Sequence, residues 1–161
     1  MIIWIVYVDL IGVSKIVAEN LAEYLEETFD VNVANAEKIT PSIVMEESPD
    51  ILIYGTFINN RVLNSKIRDW ILEIYHLPLP SKTNTQEIFT FGVIHKDTDI
   101  NEIWTKNLSK VYSPNITAKK SLKIKIDNLK SQNKLEIQKS VKNYANYIIN
   151  QIKERNKRIV K

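Results

Sequence analysis

The sequence of 161 residues contains no cysteine. This absence excludes disulfide bridges, cysteine-ligated zinc, iron–sulfur clusters and thiol catalysis, and it is typical of proteins in a reducing compartment. The sequence also has only two histidines, so a zinc site would need carboxylate ligands as well. We therefore expect no metal site.

Long hydrophobic runs are absent too. No apolar stretch reaches the length of about 20 residues that a membrane-spanning helix requires, and the first residues lack the basic flank and cleavage site of a signal peptide. The composition, 44% hydrophobic and 25% charged, is ordinary for a globular protein. We expect a cytoplasmic protein with a single domain over residues 1–152 and a basic tail at 153–161.

Glycine is scarce, with only three in the chain: Gly12, Gly55 and Gly92. Each lies at or near the end of an apolar run that predicts a central strand. Glycine permits a sharp bend or the close approach of a ligand, so these positions indicate three loops at one edge of a sheet as a candidate site. Tight turns and packing positions without a ligand are the alternative.

The first 25 residues show the clearest structural pattern. Residues 2–8 form an unbroken run rich in β-branched and aromatic side chains, which predicts a strand covered by helices on both faces. Residues 15–25 then place Ile16, Val17, Leu21 and Leu25 on one helical stripe. The loop at 9–14 lies at the start of this helix, where free backbone N–H groups favour an anion.

Strand and helix patterns alternate along the rest of the chain. Further strands are predicted at 31–36, 50–55, 88–94 and 122–126, the last alternating as an edge strand does. Helical segments are predicted at 41–47, from a cap at Asn64 or Ser65 to about 76, from a cap at Asp99 to 108, and from about 135 onward; 81–86 reads as a loop. This alternation predicts an α/β fold, a doubly wound parallel sheet with five strands.

Several segments resemble the flavodoxin family. Residues 9–14 stand where that family has its phosphate loop, usually Ser/Thr-x-Thr-Gly-Asn-Thr. Residues 50–56 look like the third strand with its Gly-Thr-Pro loop, and residues 64–70 look like the helix that follows. Residues 89–92 look like the fourth strand. The resemblance covers most of the chain and implies the strand order 2-1-3-4-5 and non-covalently bound FMN. A weaker resemblance is to the flavodoxin-type protoporphyrinogen oxidases.

The phosphate loop departs from the family pattern. Gly12 and Ser14 match it, but Asp9 and Ile11 replace hydroxyl donors and Val13 replaces an amide. Backbone N–H groups of residues 11–14 could still hold a phosphate. If FMN binds, the Asp9 carboxylate must point away from the phosphate; if it does not, that carboxylate can itself occupy the anion position at the helix start.

The resemblance also places the flavin ring between the loops at 56–61 and 94–99. Phe57 stands where the family has proline and could cover the ring, and Asn59 lies near the usual aromatic position. Arg61 offers a cation near the ring; a merely solvated arginine is the alternative. His95 could tune the flavin; a polar loop without a ligand is the alternative there. The implied cofactor-binding residues are Asp9, Ile11, Gly12, Val13, Ser14, Thr56, Phe57, Asn59, Arg61 and His95.

We expect an FMN-binding electron carrier, more an electron-transfer protein than an enzyme, and an oxidoreductase if it is catalytic; no catalytic residue is assigned. The rival is a flavodoxin-fold binding or interaction protein that has lost FMN. Other functions known for parallel α/β sheets agree less well with the sequence. A receiver domain needs an aspartate at the end of the third strand, where this chain has Gly55-Thr56. The dinucleotide, Walker and nucleophile-elbow motifs are absent.

Charge is distributed unevenly along the chain. Residues 1–118 hold 9 Lys and Arg against 16 Asp and Glu, a net of −7, whereas residues 119–161 hold 13 against 3, a net of +10. A solvated face explains the basic region most simply, and contact with an acidic partner is the alternative. We expect a redox partner protein and no nucleic acid, because few aromatic residues lie among these cations.

Overall fold

The structure, a computed structural model, describes residues 1–78, 85–117, 120–127 and 134–159. Strands and helices alternate within these ranges. The strands are β1 (Ile2–Val8), β2 (Asp30–Asn35), β3 (Ile51–Ile58), β4 (Glu87–Ile94) and β5 (Leu122–Lys125). The helices are α1 (Val13–Glu26), α2 (Pro41–Glu46), α3 (Ser65–Tyr75), α4 (Ile100–Leu108) and α5 (Lys134–Ile159), with a short 3-10 turn at Pro114–Ile116.

The five strands form one sheet in the order β2-β1-β3-β4-β5, and every neighbouring pair is parallel. Both the parallel sheet and the strand order confirm the prediction. The unbroken apolar run of β1 has the expected cause, because this strand lies between β2 and β3 and its residues 3–8 are all buried.

Helices cover the sheet on both faces. Alternate side chains of β1 point to opposite sides, so Ile3 and Ile5 join a core with α1 and α5, whereas Trp4 and Val6 join a core with α2, α3 and α4. Among the described helices, none is both long enough and apolar enough to cross a membrane.

Two predicted boundaries differ from the structure by more than two residues. Strand β3 continues beyond Gly55 to Ile58, because its pairing with β4 extends to the Ile58–Ile94 pair. Helix α5 continues through Ile159 into the segment predicted as a tail, and Arg155 in that segment hydrogen-bonds the carbonyl oxygen of Gln86 and lies 3.9 Å from the Glu87 carboxylate.

The predicted loop at 81–86 lies partly outside the described residues. Its last two residues, Thr85 and Gln86, are held by hydrogen bonds: the Thr85 hydroxyl donates to the carbonyl of Pro49 at 3.2 Å, and the Gln86 backbone N–H donates to that of Asp50 at 2.7 Å. These contacts lead the chain into β4 beside the start of β3.

Candidate functional site

Three loops leave the sheet at one edge, from the neighbouring strands β1, β3 and β4. The last residue of β1, Val8, pairs with Thr56, and Ile58 at the end of β3 pairs with Ile94 at the end of β4. The loops that follow, at 9–12, 59–64 and 95–99, lead directly into α1, α3 and α4. Ligands of open parallel sheets bind in the crevice outside these carboxyl ends, so the topology brings the predicted loops together at such a crevice.

The Asp9 side chain closes the first loop on itself. Its Oδ2 accepts a hydrogen bond from the backbone N–H of Gly12 at 3.0 Å, and its Oδ1 accepts one from the backbone N–H of Lys15 at 3.2 Å. These donors lie at the start of α1, where unpaired N–H groups and the helix dipole attract negative charge. The carboxylate therefore holds the position at which a ligand phosphate would accept the same hydrogen bonds.

Gly12 allows this loop its sharp bend. Its φ is +88°, in the left-handed region that other residues rarely adopt, and a Cβ added there would meet no atom within 4 Å. The requirement for glycine is therefore conformational and not a matter of space.

Leu10 of the first loop is exposed, whereas Ile11 and the first two residues of α1, Val13 and Ser14, are partly or fully buried. Val13 is fully buried and Ile11 packs against the same apolar cluster, so neither offers a polar group from its side chain. The Ser14 side chain is also fully buried, and its hydroxyl has no hydrogen-bond partner among the described residues. An unpartnered buried hydroxyl is unfavourable by about 1–3 kcal/mol, so a hydrogen-bond partner that reached it would stabilise the folded protein.

This loop fits a phosphate group only after a rearrangement. The N–H groups of Gly12 and Lys15 and the hydroxyl of Ser14 are suitable donors, but the Asp9 carboxylate already accepts from the first two. Two anions about 4 Å apart repel by several kcal/mol at an effective dielectric near 20. A phosphate and the Asp9 carboxylate therefore exclude each other at these N–H groups.

Burial raises the pKa of Tyr7, near the end of β1, and the charges of Glu19 and Asp9 raise it further. The phenol beside the first loop therefore stays protonated to a higher pH than that of an exposed tyrosine. The sequence pattern identified Tyr7 only as part of a buried strand.

The second loop begins later than the sequence predicted. Thr56 lies inside β3 with its side chain fully buried, and its hydroxyl donates to the carbonyl of Val8 at 3.3 Å. Phe57 also belongs to β3, where it is partly buried against the core formed with α1 and α5. The Thr56 hydroxyl thus links β3 to β1, and the Phe57 side chain is partly buried against the core.

The exposed part of the second loop is a tight turn. The backbone N–H of Val62 donates to the carbonyl of Asn59 at 2.9 Å, and the two residues between them have positive φ, +49° at Asn60 and +60° at Arg61. This is the geometry of a type I′ turn. Asparagine is common in such a turn, whereas arginine at a positive φ is unusual and marks a backbone under strain.

Gly55 and Gly92 lie within β3 and β4, where they serve packing. A Cβ on Gly55 would come within 1.8 Å of the Phe91 ring, and one on Gly92 within 2.9 Å of a methyl group of Ile58. Of the three glycines that the sequence singles out, Gly12 alone therefore lies in a loop of the candidate site.

The third loop carries His95. Its Nδ1–H donates to the carbonyl of Ile126 at 2.9 Å, which leaves Nε2 as an acceptor in the neutral ring. His95, Arg61 and Asn59 line a cleft of about 470 Å³ between the second and third loops. In the same loop, a hydrogen bond from Lys123 and its positive charge lower the pKa of Asp97.

The structure also shows a second cleft that the sequence did not indicate. It has a volume of about 420 Å³, lies between the second loop, α3 and α4, and shares Arg61 and Thr98 with the cleft at His95. Four cations line it: Arg61, Arg68, Lys106 and Lys110. The spacing of Lys106 and Lys110, one helical turn apart, is the only sequence signal for this surface, because Arg61 and Arg68 come from a distant part of the chain.

No family model and no curated protein matches the sequence. In structure, the chain is similar to flavodoxin 2 from Bacillus cereus, with 16% identity and a TM-score of 0.69 over 94% of this chain and 99% of that one. It is also similar to a short-chain flavodoxin associated with a PDU bacterial microcompartment, with 15% identity and a TM-score of 0.65 over 94% and 98%.

Part of a larger protein is similar as well. The rubredoxin oxygen:oxidoreductase of Desulfovibrio gigas matches with 14% identity and a TM-score of 0.68, over 94% of this chain but 37% of that one. The chain thus spans little more than a third of that relative, and the two flavodoxins match it over nearly their whole length. Together with the parallel sheet in the order β2-β1-β3-β4-β5, these likenesses show that the chain has the flavodoxin-like fold.

Proposed function

We propose that the protein is a flavodoxin-like electron carrier that binds FMN non-covalently at the carboxyl edge of its sheet. The observation that carries this proposal is the buried hydroxyl of Ser14 at the start of α1, which has no hydrogen-bond partner among the described residues and lies next to the N–H groups that bind the Asp9 carboxylate. The loops after β3 and β4, with the cleft between them, leave the sheet at the same edge. The likeness to flavodoxins supports the same assignment.

The phosphate would bind to backbone N–H groups of residues 11–14 and to the Ser14 hydroxyl, after the Asp9 carboxylate has moved away. This exchange would give the buried Ser14 hydroxyl the partner that it lacks among the described residues. Asp9 would lose its two hydrogen bonds, and this loss offsets part of the binding free energy gained by the phosphate. We therefore expect weaker binding than a loop with several hydroxyl donors provides.

The ring would lie between the second and third loops, flanked by Phe57 and His95, with Asn59 and Arg61 at its rim. The hydrogen bond of His95 to Ile126 fixes the imidazole with Nδ1 protonated. The flavin would supply the redox chemistry, and the protein would supply its position and surroundings.

The hydrogen bonds of Asp9 favour a second candidate, a flavodoxin-fold interaction protein without FMN. In that case the carboxylate is a permanent substitute for the phosphate, and the three loops form a binding surface for another molecule. The two candidates differ in one measurable property, the affinity for FMN.

The experiment is a titration of purified protein with FMN and, in parallel, with riboflavin. The proposal predicts quenching of flavin fluorescence, a raised melting temperature with FMN, and a weaker effect of riboflavin because it lacks the phosphate. A colourless protein that shows neither effect up to about 1 mM FMN, where a binding free energy near −4 kcal/mol would be detected, would contradict the FMN proposal and favour the second candidate.

A cytoplasmic location and a redox partner protein complete this proposal. The basic region at 119–161, with a net charge of +10, would offer an acidic partner one surface of contact. Most of its described cations lie along α5, which packs beside α1 on the same face of the sheet.

A further inference from the structure

The cleft lined by Arg61, Arg68, Lys106 and Lys110, hereafter the basic cleft, lies beside the candidate flavin site. It also contains two carboxylates, Asp99 and Glu102, so that its lining carries a net charge of +2.

This charge stands out against the surrounding part of the chain. Residues 1–118 hold only 9 cations against 16 carboxylates, yet four of the nine cations line this one cleft. Three structural elements contribute them: the second loop, α3, and α4 with the turn that follows it. The basic cleft is thus a local concentration of positive charge on an otherwise acidic part of the protein.

The cations have little internal compensation. Within the described parts of the chain, Arg61, Lys106 and Lys110 have no carboxylate within 4.0 Å, and Arg68 pairs only with the adjacent, largely exposed Asp69. The carboxylate of Asp99 is engaged in capping α4, where it accepts from the backbone N–H groups of Asn101 and Glu102. An acidic ligand would therefore meet charges that are still free to pair.

Arg61 connects the basic cleft with the candidate flavin site. It lies in the tight turn of the second loop and lines the cleft beside His95 as well. A partner bound in the basic cleft would therefore lie at the rim of the cleft proposed for the flavin ring.

We propose that the basic cleft docks an acidic segment of a protein partner. Arg61, Lys106 and Lys110 are exposed; Arg61 lies on the second loop, and the two lysines lie one helical turn apart on α4 and the turn after it. Cations spread in this way suit carboxylates spaced along a chain better than one compact anion. Val62, on the same lining and 60% exposed, adds an apolar contact of the kind found at protein interfaces. Charge complementarity of this type steers encounter and fixes orientation. The inference rests on the proposed function only in naming the partner as the electron donor or acceptor.

The test uses a hexaglutamate peptide as the probe, titrated at low salt without FMN and followed by backbone amide NMR shifts. The variant Lys106→Gln with Lys110→Gln removes two cations of the basic cleft. Its matched control, Lys153→Gln with Lys157→Gln, removes two exposed cations at the same spacing on α5. We expect shifts at residues 61–63 and 102–110, and binding weakened about fivefold, close to 1 kcal/mol, in the first variant only.

Three results would contradict the proposal that the basic cleft is a docking surface. The control could lose as much affinity as the variant, the shifts could map to α5, or inorganic pyrophosphate could bind the basic cleft more tightly than the peptide, which would indicate a small-anion site. Arg68→Gln provides a second variant, and melting temperatures check that each variant is folded. FMN affinity, measured separately, should be unchanged by the lysine substitutions, so that failure of the flavin proposal is distinguished from failure of the docking surface.

Discussion

The carboxylate of Asp9 accepts a hydrogen bond from the backbone N–H of Gly12 at 3.0 Å, so the first loop carries its own anion. Replacing Asp9 by Ser and Ile11 by Thr should remove this competitor and restore two hydroxyl donors. We predict that the double variant binds FMN at least tenfold more tightly, a change of about 1.4 kcal/mol, measured by titration of flavin fluorescence.

The control for this variant is Asp30→Ser. Asp30 is an exposed carboxylate at the start of β2, paired with Ile2 at the opposite edge of the sheet, so its replacement changes the net charge without touching the first loop. Equal gains in both proteins would point to net charge alone. Unchanged or weaker binding in the double variant would show that the first loop is not a phosphate site.

The close contact between Gly55 and Phe91 predicts a large effect of adding one methyl group. In Gly55→Ala the new Cβ would lie 1.8 Å from a buried aromatic ring in the middle of the sheet, so the ring or the strands must move. We expect the free energy of unfolding to fall by about 1–3 kcal/mol, measured by urea denaturation. Gly92→Ala should lose less, because its closest neighbour is the flexible end of Ile58; the reverse order would contradict the contact.

The partly buried carboxyl group of Glu87 should make stability depend on pH. Burial raises the pKa of Glu87 above its ordinary value of 4.5, and the nearby Arg155 offsets this only in part. The folded state therefore resists ionisation, so stability is lost as pH rises from 4.5 through the higher folded-state pKa. We predict that Glu87→Gln is more favourable at pH about 7 than at pH about 4, relative to the unmodified protein, in urea denaturation.

Asp97→Asn is the opposite control. The hydrogen bond and charge of Lys123 lower the pKa of Asp97, so its contribution is lost as the pH falls. This pair is exposed to solvent, and its effect should be small. A Glu87→Gln effect of the same sign as that of Asp97→Asn would contradict the assignment.

The hydroxyl groups of Tyr54 and Tyr112 form a buried hydrogen bond of 2.6 Å. Either single replacement by Phe leaves one hydroxyl without this partner, which should lower the free energy of unfolding by about 1–3 kcal/mol. The double replacement should lower it by less than the sum of the two, because no polar group is then stranded. Additive losses in a double-mutant cycle would show that this bond contributes no coupling.

The elements that the sequence predicts well are those with a strong local pattern. The apolar run of β1 and the helical stripe of α1 predicted the correct element type, and the alternation of five strands with helices predicted the parallel sheet. The strand order came from the resemblance to the flavodoxin family. These signals are local because each strand or helix repeats its buried positions at its own period. The self-contact of Asp9 is local too, since it joins residues three and six positions apart.

The end of β3 lacks such a local signal. The sequence ends this strand at Gly55, since glycine commonly marks a turn, but pairing with β4 keeps residues 56–58 in the sheet. The consequence for the site is direct. Thr56 and Phe57, predicted in a loop, are strand residues, and the loop proper begins at Asn59.

The sequence by itself determined the parallel architecture, the edge at which three loops meet and the unusual chemistry of the first loop, because all of these follow from the periodicity and order of neighbouring residues. Only the tertiary structure decided that Gly55 makes room for the Phe91 ring and that the Thr56 hydroxyl donates to Val8. It also decided how far α5 continues and that Arg61, Arg68, Lys106 and Lys110 line one cleft. Each of these depends on contacts between residues far apart in the chain, which no local pattern encodes.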